Sequence, residues 1–301
     1  MNTFKAGFVA IVGRPNTGKS TLVNALVGTK IVITSHHPNT TRNPIRGIVN
    51  RDNYQIILVD TPGMHKPKTA LGNRLNSMVS ENIDNTDCVV ICLPANEEIG
   101  TGDEYILKQV KSNQPIYLVI TKIDKISKEE LAEKLTEVNI LVERLKLPSV
   151  EIVPISALKL EQTELLLELL SESLPNSPAL YPTDISTDQA QELMFADFIR
   201  EAAIGQLYEE LPHSVMVTID EMGMRENRNL FDIVATLHVE RDSQKGILIG
   251  QQGSKLKAIG SKARQSLENI IGTKVFLQIH VKVSKEWQKD PKMLAKLGFT
   301  E

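Results

Sequence analysis

The 301-residue chain predicts an α/β domain, with a mostly parallel sheet and helices on both faces, followed by a smaller α+β domain. Three observations carry this reading. Apolar runs rich in β-branched residues alternate with helical stretches up to about residue 174, as in sheets covered on both faces. Pro175, Pro178 and Pro182 then interrupt the pattern, as an extended connection would. Beyond them the strands become few and the helices long.

In the first domain (1–174) the runs FVAIV, QIILVD, CVVICL, IYLVIT and VEIVPI read as buried strands. Helices are predicted between most of them, over Lys19–Val27 and Lys128–Leu145 for example. EQTELLLELLSESL (161–174) closes the domain as an amphipathic helix. Residues 175–186 read as a linker. In the second domain (187–301) helices are predicted over 188–210, 254–270 and 286–297, with strands over 215–220, 231–239 and 274–283.

Composition narrows the class. Apolar residues make up 41% and charged residues 24%, ordinary for a soluble globular protein. Aromatics are only 4%, so the cores must be aliphatic. No apolar run reaches the ~18 residues of a membrane span. The N-terminal MNTFKAGFVAIV leads straight into a glycine loop without a cleavage site, and reads as a strand rather than a signal peptide. Cys88 and Cys92 lie in a strand-like run with no further Cys or His at ligand spacing, so a reducing cytoplasm is expected. The net charge of −3 is unevenly spread: residues 184–244 hold 4 Lys+Arg and 13 Asp+Glu, whereas 245–301 hold 11 and 4. Such segregation suits a polyanion-facing side, or a solvated helical surface.

Gly13-Arg14-Pro15-Asn16-Thr17-Gly18-Lys19-Ser20-Thr21 fits G-x-x-x-x-G-K-[ST], between a strand and a helix. Its backbone N–H groups would cradle phosphates. Lys19 would pair with the β- and γ-phosphates, and Ser20 would ligate Mg²⁺. Asp60-Thr61-Pro62-Gly63 follows a strand forty residues after Ser20. Asp60 there would hold Mg²⁺, and the Gly63 N–H would approach the γ-phosphate. Between the two motifs, the polar loop with Thr40 and Thr41 would order as a switch when a γ-phosphate and Mg²⁺ are bound. The stretch 63–74 would be a second switch.

Thr121-Lys122-Ile123-Asp124 ends another strand. One carboxylate accepts two hydrogen bonds side by side, which guanine offers through N1–H and its amino group. Adenine would leave the Asp124 charge facing a lone pair. Lys122 would lie over the base, and backbone N–H groups of Ser156 and Ala157, in Ser156-Ala157-Leu158, would meet the guanine O6. These four pieces in this order resemble the P-loop GTPases and favour GTP over ATP. An ATP-dependent kinase using the same loop is the reading that Asp124 opposes. No glutamine stands between Gly63 and Ser77, where many GTPases orient water, and Met64 follows Gly63. Intrinsic turnover is therefore expected to be slow. Asn16 is a candidate ligand for a monovalent cation such as K⁺, which would add positive charge near the phosphates. A nucleotide-gated RNA-binding factor with negligible hydrolysis of its own is the alternative.

In the second domain Gly250-Gln251-Gln252-Gly253-Ser254-Lys255 stands between helical stretches. A G-x-x-G turn between helices admits a phosphodiester backbone closely, and with Lys257 and the following strand KVFLQIHVKV it matches a KH module. RNA binding through Gly250 to Lys255 and Lys257 is expected. A glycine-stapled helical hairpin is the structural alternative.

With these motifs in hand, the chain resembles the Era family, bacterial GTPases with a C-terminal KH domain. GRPNTGKST, NTTR, DTPG, TKID, SAL, KGILIGQQGSKLKAIG and VKVSKEWQKDPKMLAKLGF carry the resemblance, essentially from end to end. It implies GTP/GDP binding, recognition of the 3′ end of small-subunit ribosomal RNA and assistance in assembling the small ribosomal subunit. It also implies peripheral contact with the cytoplasmic face of the cell membrane, and makes Thr41 the better switch and Mg²⁺ candidate. The chain is expected to act as a monomer. Three departures from the family stand out: Thr17 replaces a small aliphatic, Thr121 replaces an asparagine, and Gln251-Gln252 fill a turn that is often basic. The shorter Thr121 is expected to tether the phosphate loop less well, and the glutamines to lower RNA affinity and its salt dependence.

Overall fold

The computed structural model describes residues 4–34, 44–64, 79–81, 83–110, 114–147, 150–207, 215–226, 228–285 and 287. The chain forms two compact units. The first is built on a six-stranded sheet of order β2-β3-β1-β4-β5-β6. Its strands are β1 (Lys5–Val12), β2 (Ile45–Asn50), β3 (Tyr54–Asp60), β4 (Cys88–Pro94), β5 (Ile116–Thr121) and β6 (Val150–Pro154). All neighbours pair in parallel except β2 and β3, which run antiparallel. Parallel strands need crossovers, and α1 (Lys19–Val27), α2 (Thr101–Leu107), α3 (Lys128–Leu145) and α4 (Thr163–Ser173) are among the helices of this unit.

Strand alternation sends successive side chains to opposite faces. Val9, Ile11, Val90 and Cys92 meet Leu22, Leu26, Leu166 and Leu170 of α1 and α4 on one face. Ala10, Val12, Val89 and Ile91 meet Ile106, Leu107, Val138 and Leu141 of α2 and α3 on the other. The central strands β4 and β5 are therefore buried at every position, as a sheet covered on both faces requires. Helix α3 starts at a reciprocal cap. The Ser127 hydroxyl accepts from the Glu130 N–H at 3.2 Å, and the Glu130 carboxylate accepts from the Ser127 N–H at 2.7 Å, worth about 1 kcal/mol.

Two features differ from the sequence expectation. Strand β2, IRGIVN, is an antiparallel edge strand that the list of apolar runs left out. The expected linker also runs along the first unit as a strap. Pro175 O accepts from Ala6 N at 3.2 Å, Ser177 N donates to Phe4 O at 3.1 Å, and Ser186 O accepts from Ile48 N at 2.8 Å. The buried Gln55 amide oxygen accepts from Leu180 N at 2.7 Å and Tyr181 N at 2.9 Å. Prolines suit such a strap, because an edge segment leaves some N–H positions unused. The division between the units falls after Asp188.

The second unit holds α5 (Gln191–Ile204), β7 (Met216–Met224), β8 (Leu230–Val239), α6 (Asp242–Ile249), α7 (Ser254–Ile271) and β9 (Lys274–Val283). Strand β8 is central, antiparallel to β7 and parallel to β9. Phe195, Phe198, Ile199 and Ala202 of α5 and Ile259, Ala263 and Leu267 of α7 share one core with Ile233, Ala235 and Leu237 of β8. Phe195 meets Phe231 edge to face at 6.0 Å. Ile33 belongs to this unit and is buried in its core, and Glu201 accepts from the Thr34 N–H at 2.8 Å. The helix expected over 188–210 is α5. Residues 208–210 and most of the helix expected over 286–297 lie outside the described residues.

Candidate functional site

The first site is assembled at the C-terminal ends of β1, β3 and β5 and the loops that follow them, the position where parallel sheets bind ligands. The loop after β1 makes its turn with Gly13 at φ 154°, Asn16 at φ 64° and Gly18 at φ 97°. A Cβ on Gly13 would stand 2.8 Å from the Thr17 hydroxyl and 2.9 Å from Cys92 O, so glycine is required there. Lys19, at the start of α1, is buried and donates to Gly13 O at 3.0 Å and Arg14 O at 2.8 Å. Burial pulls its ammonium below the usual lysine range, and Asp60 and the Cys92 sulfur partly offset this. The Ser20 hydroxyl donates to Asp60 Oδ2 at 2.9 Å, and Asp60 is fully buried at the end of β3. Two oxygen donors thus meet beside a buried lysine.

Gly63 brings the end of the β3 segment against the loop. A Cβ there would lie 2.7 Å from Pro15 N and 2.8 Å from its Cα, which only glycine avoids. Met64 N donates to Gly13 O at 3.1 Å, and the Met64 side chain, 1% exposed, joins the core with Ala10 and Leu93. The position that follows Gly63 is therefore a core position, and its side chain does not face the loop. Thr61 donates to Ile11 O at 2.8 Å, which locks the ends of β3 and β1 together.

The base loop follows β5. Lys122 adopts φ 60°, and Ile123–Lys125 form a single 3-10 turn. The Ser156 hydroxyl, buried after β6, donates to Asp124 Oδ1 at 2.6 Å and accepts from Lys159 N at 3.2 Å. Each carboxylate oxygen has two acceptor positions, so Asp124 is oriented without being used up. Ala157 adjoins Ser156 on the same turn.

Thr121 keeps a tether to the loop with its short side chain. Its hydroxyl reaches the phosphate loop directly, donating to Thr17 O at 2.6 Å, and its Cβ lies 3.7 Å from the position a Gly18 side chain would take. The shorter residue still makes the tether, because β5 and the loop approach closely at a glycine. Thr17 is fully buried, and its hydroxyl donates to Arg14 O at 3.0 Å. That bond pins the turn from inside, which a small aliphatic could not do.

Sequence reasoning missed the groups that frame this site. Arg14 Nε donates to the buried Asp103 at 2.7 Å, and Glu97 lies between Arg14 and Lys122, at 3.3 Å from each. No spacing rule relates positions 14, 97, 103 and 122, and only the fold brings them together. Thr40 and Thr41 lie outside the described residues. Asn16 is exposed at the loop's left-handed position. Cys88 and Cys92 are buried in β4, and burial pushes both thiols up to about 12. They are buried packing groups at neutral pH.

In the second unit α6 ends at Gly250 (φ 70°), the turn passes through Gln252 (φ 50°) and Gly253 (φ 78°), and α7 begins at Ser254. Gln251, Gln252, Ser254 and Lys257 are exposed, Lys255 is half-buried, and Leu248 and Ile259 anchor the flanking helices in the core. A Cβ on Gly250 would come within 3.0 Å of the Lys255 side chain. On β9 the side chains alternate, with Lys274, Phe276, Gln278, His280 and Lys282 outward and Val275, Leu277 and Ile279 inward.

Comparison with known proteins agrees with this geometry over the whole length. A family profile described as a 50S ribosome-binding GTPase matches residues 8–122, and a KH-domain profile matches 210–288. GTPase Era of Mycobacterium avium is 50% identical over 303 residues, covering 99% of this chain and all of the relative. GTPase Era of Mycobacterium tuberculosis H37Rv is 51% identical over 304 residues, again covering 99% of this chain and all of the relative. Among solved structures, an Aquifex aeolicus Era variant bound to GDP·AlF4⁻ superposes with a TM-score of 0.92 at 36% identity, covering 99% of this chain and all of that one. An Era complex with MgGDPNP and nucleotides 1506–1542 of 16S ribosomal RNA superposes with a TM-score of 0.92 at 37% identity, with the same coverage. Identity of this level from end to end, with the loop at Gly13–Ser20 and the G-x-x-G turn on their expected elements, places the chain in the Era family of GTPases.

Proposed function

We propose that the chain is a GTP-hydrolysing switch that binds the 3′ end of small-subunit ribosomal RNA through its second unit and assists assembly of that subunit. The observation that carries the nucleotide half is the shared end of the sheet, where Lys19, Ser20 and Asp60 stand at one side and Lys122 and Asp124 at the other. Gly13 to Thr21 and the Gly63 N–H surround the phosphates. Lys122, Asp124, Ser156 and Ala157, with Thr121 behind them, hold the guanine. The RNA half rests on the G-x-x-G turn, on the basic balance of 245–301 and on the family's solved complex with 16S ribosomal RNA.

The donor set at Ser20 and Asp60 fits Mg²⁺, a hard cation that prefers oxygen ligands and retains waters. Ser20 and Asp60 would hold it, with Thr41 from the switch. When bound, the ion neutralises charge on the β- and γ-phosphates. The chain's own groups then divide the work. Lys19 places a preorganised charge at the phosphates in a water-poor site, where it counts most. Gly13, Thr17 and Thr121 keep the loop closed around it.

With Met64 in the core, no side chain at that position orients water, and intrinsic turnover is slow. Asn16, exposed at the left-handed turn, is the proposed ligand for a K⁺ that would supply further charge. Single-turnover hydrolysis is expected to run faster in K⁺ than in Na⁺, and equal rates overturn the cation role. Membrane contact is proposed as peripheral: among the described residues no helix is long and apolar enough to cross a membrane.

Asp124→Asn tests the base assignment. The carboxamide mismatches guanine and suits xanthine, so affinity is expected to fall by more than about 100-fold for GDP and to rise for XDP. Equal affinity of the variant and the native chain for GDP overturns it.

A further inference from the structure

The loop between β4 and α2 (94–100) carries a group that none of the nucleotide motifs contains. Glu97 accepts from Arg14 Nη2 at 3.3 Å through Oε2 and from Lys122 Nζ at 3.3 Å through Oε1. Arg14 belongs to the phosphate loop and Lys122 to the base loop, so one carboxylate bridges the two ends of the nucleotide site. Its own loop is fixed independently. Glu97 O accepts from the nearly buried Lys134 of α3 at 2.7 Å, and Ala95 N donates to Thr121 O at 2.8 Å. Arg14 has a second anchor, since Asp103 accepts its Nε at 2.7 Å through one oxygen and the Gly100 N–H at 2.9 Å through the other.

The consequence lies in what Arg14 and Lys122 do. Arg14 O is the acceptor for both the Lys19 ammonium and the Thr17 hydroxyl, so a shift of Arg14 disturbs the phosphate-binding lysine. Lys122 stands in a left-handed backbone position with its stem available to cover a purine face, and its ammonium needs a fixed counter-charge to hold that pose. A carboxylate that holds both cations links the two ends of the site.

We propose that Glu97 is a positioning residue for guanine nucleotide binding, linking base capture at Lys122 to closure of the phosphate loop at Arg14. This rests on the nucleotide reading above. It touches no reacting atom and acts through Arg14 and Lys122, so the quantity it sets is how long the nucleotide stays bound. Glu97→Gln keeps the shape and removes the charge, and Glu97 is partly exposed, so the fold tolerates the change.

The test measures dissociation of fluorescent GDP from the full chain in four forms: native, Glu97→Gln, Lys122→Gln and the double variant. Thermal midpoints of the nucleotide-free proteins are recorded alongside. Glu97→Gln is expected to speed dissociation by about 3- to 10-fold, the scale of two partly exposed ion pairs, with an unchanged midpoint. In the Lys122→Gln background the same change is expected to act less, by about 2- to 3-fold, because one of its two partners is gone and the Arg14 pair remains. A dissociation rate equal to that of the native chain overturns the proposal. So does a rise that persists undiminished without Lys122, or one that follows a fall in thermal midpoint. If the native chain itself fails to bind GDP, the nucleotide reading falls first and this inference with it.

Discussion

Thr121 shows how a single residue is decided by its neighbours. Where the family has asparagine, its hydroxyl still reaches Thr17 O at 2.6 Å, because Gly18 lets β5 and the loop approach. A buried hydrogen bond of this kind contributes roughly 0.5–1.5 kcal/mol net. Thr121→Val is therefore expected to speed GDP dissociation by about 3- to 10-fold, measured by displacement of a fluorescent nucleotide, while the fold is retained. Met64 makes the complementary point. From the chain it reads as a thioether where water must be held, and in the fold its side chain is buried in the core with Ala10 and Leu93. Lys19 is the costly residue here, a buried ammonium kept below the usual lysine range by desolvation. Phosphates would relieve that cost, which is how such a site converts an unfavourable burial into affinity.

At the scale of the element, the phosphate loop and the G-x-x-G turn solve one problem in two ways. Both use glycines at positive φ at the start of a helix, Gly18 before α1 and Gly253 before α7. The first would surround a bound anion with a lysine and a serine from within the loop. The second presents exposed glutamines, leaving charge to Lys255 and Lys257. Each added cation on a single strand steepens the dependence of log K on log salt by about 0.7. Gln252→Lys is expected to tighten RNA binding and steepen that slope by about this amount, read from titrations of a labelled single-stranded RNA at several salt concentrations. A slope unchanged by the substitution would place the phosphates elsewhere. The strap over 175–188 follows a related rule: its proline-rich, extended backbone is hydrogen-bonded to Ala6, Ile48 and Gln55, because extended backbone pairs wherever an edge is open.

For the whole molecule, the proposed switch requires that the nucleotide state and RNA affinity influence each other. A ligand shifts an equilibrium only through its differential affinity for the two states. RNA affinity of the full chain is expected to differ at least about fivefold between GDP and a non-hydrolysable GTP analogue, measured by fluorescence anisotropy. Equal affinities would leave two independent binding units on one chain.

The sequence by itself determined the class of both units and brought forward most residues of the candidate nucleotide site. Strand–helix alternation, the spacing of Gly13–Ser20, Asp60, Asp124 and Ser156, and the G-x-x-G turn are local patterns, and local chemistry constrains each of them. β2 is not legible as an apolar run because Arg46 and Gly47 interrupt it. Only the tertiary structure decided that Met64 is buried, that Thr121 and Thr17 staple the loop, and that Glu97 stands between Arg14 and Lys122. Those relations join residues 83, 25 and 104 positions apart. Only packing in three dimensions sets such distances, so no periodicity or motif along the chain could have announced them.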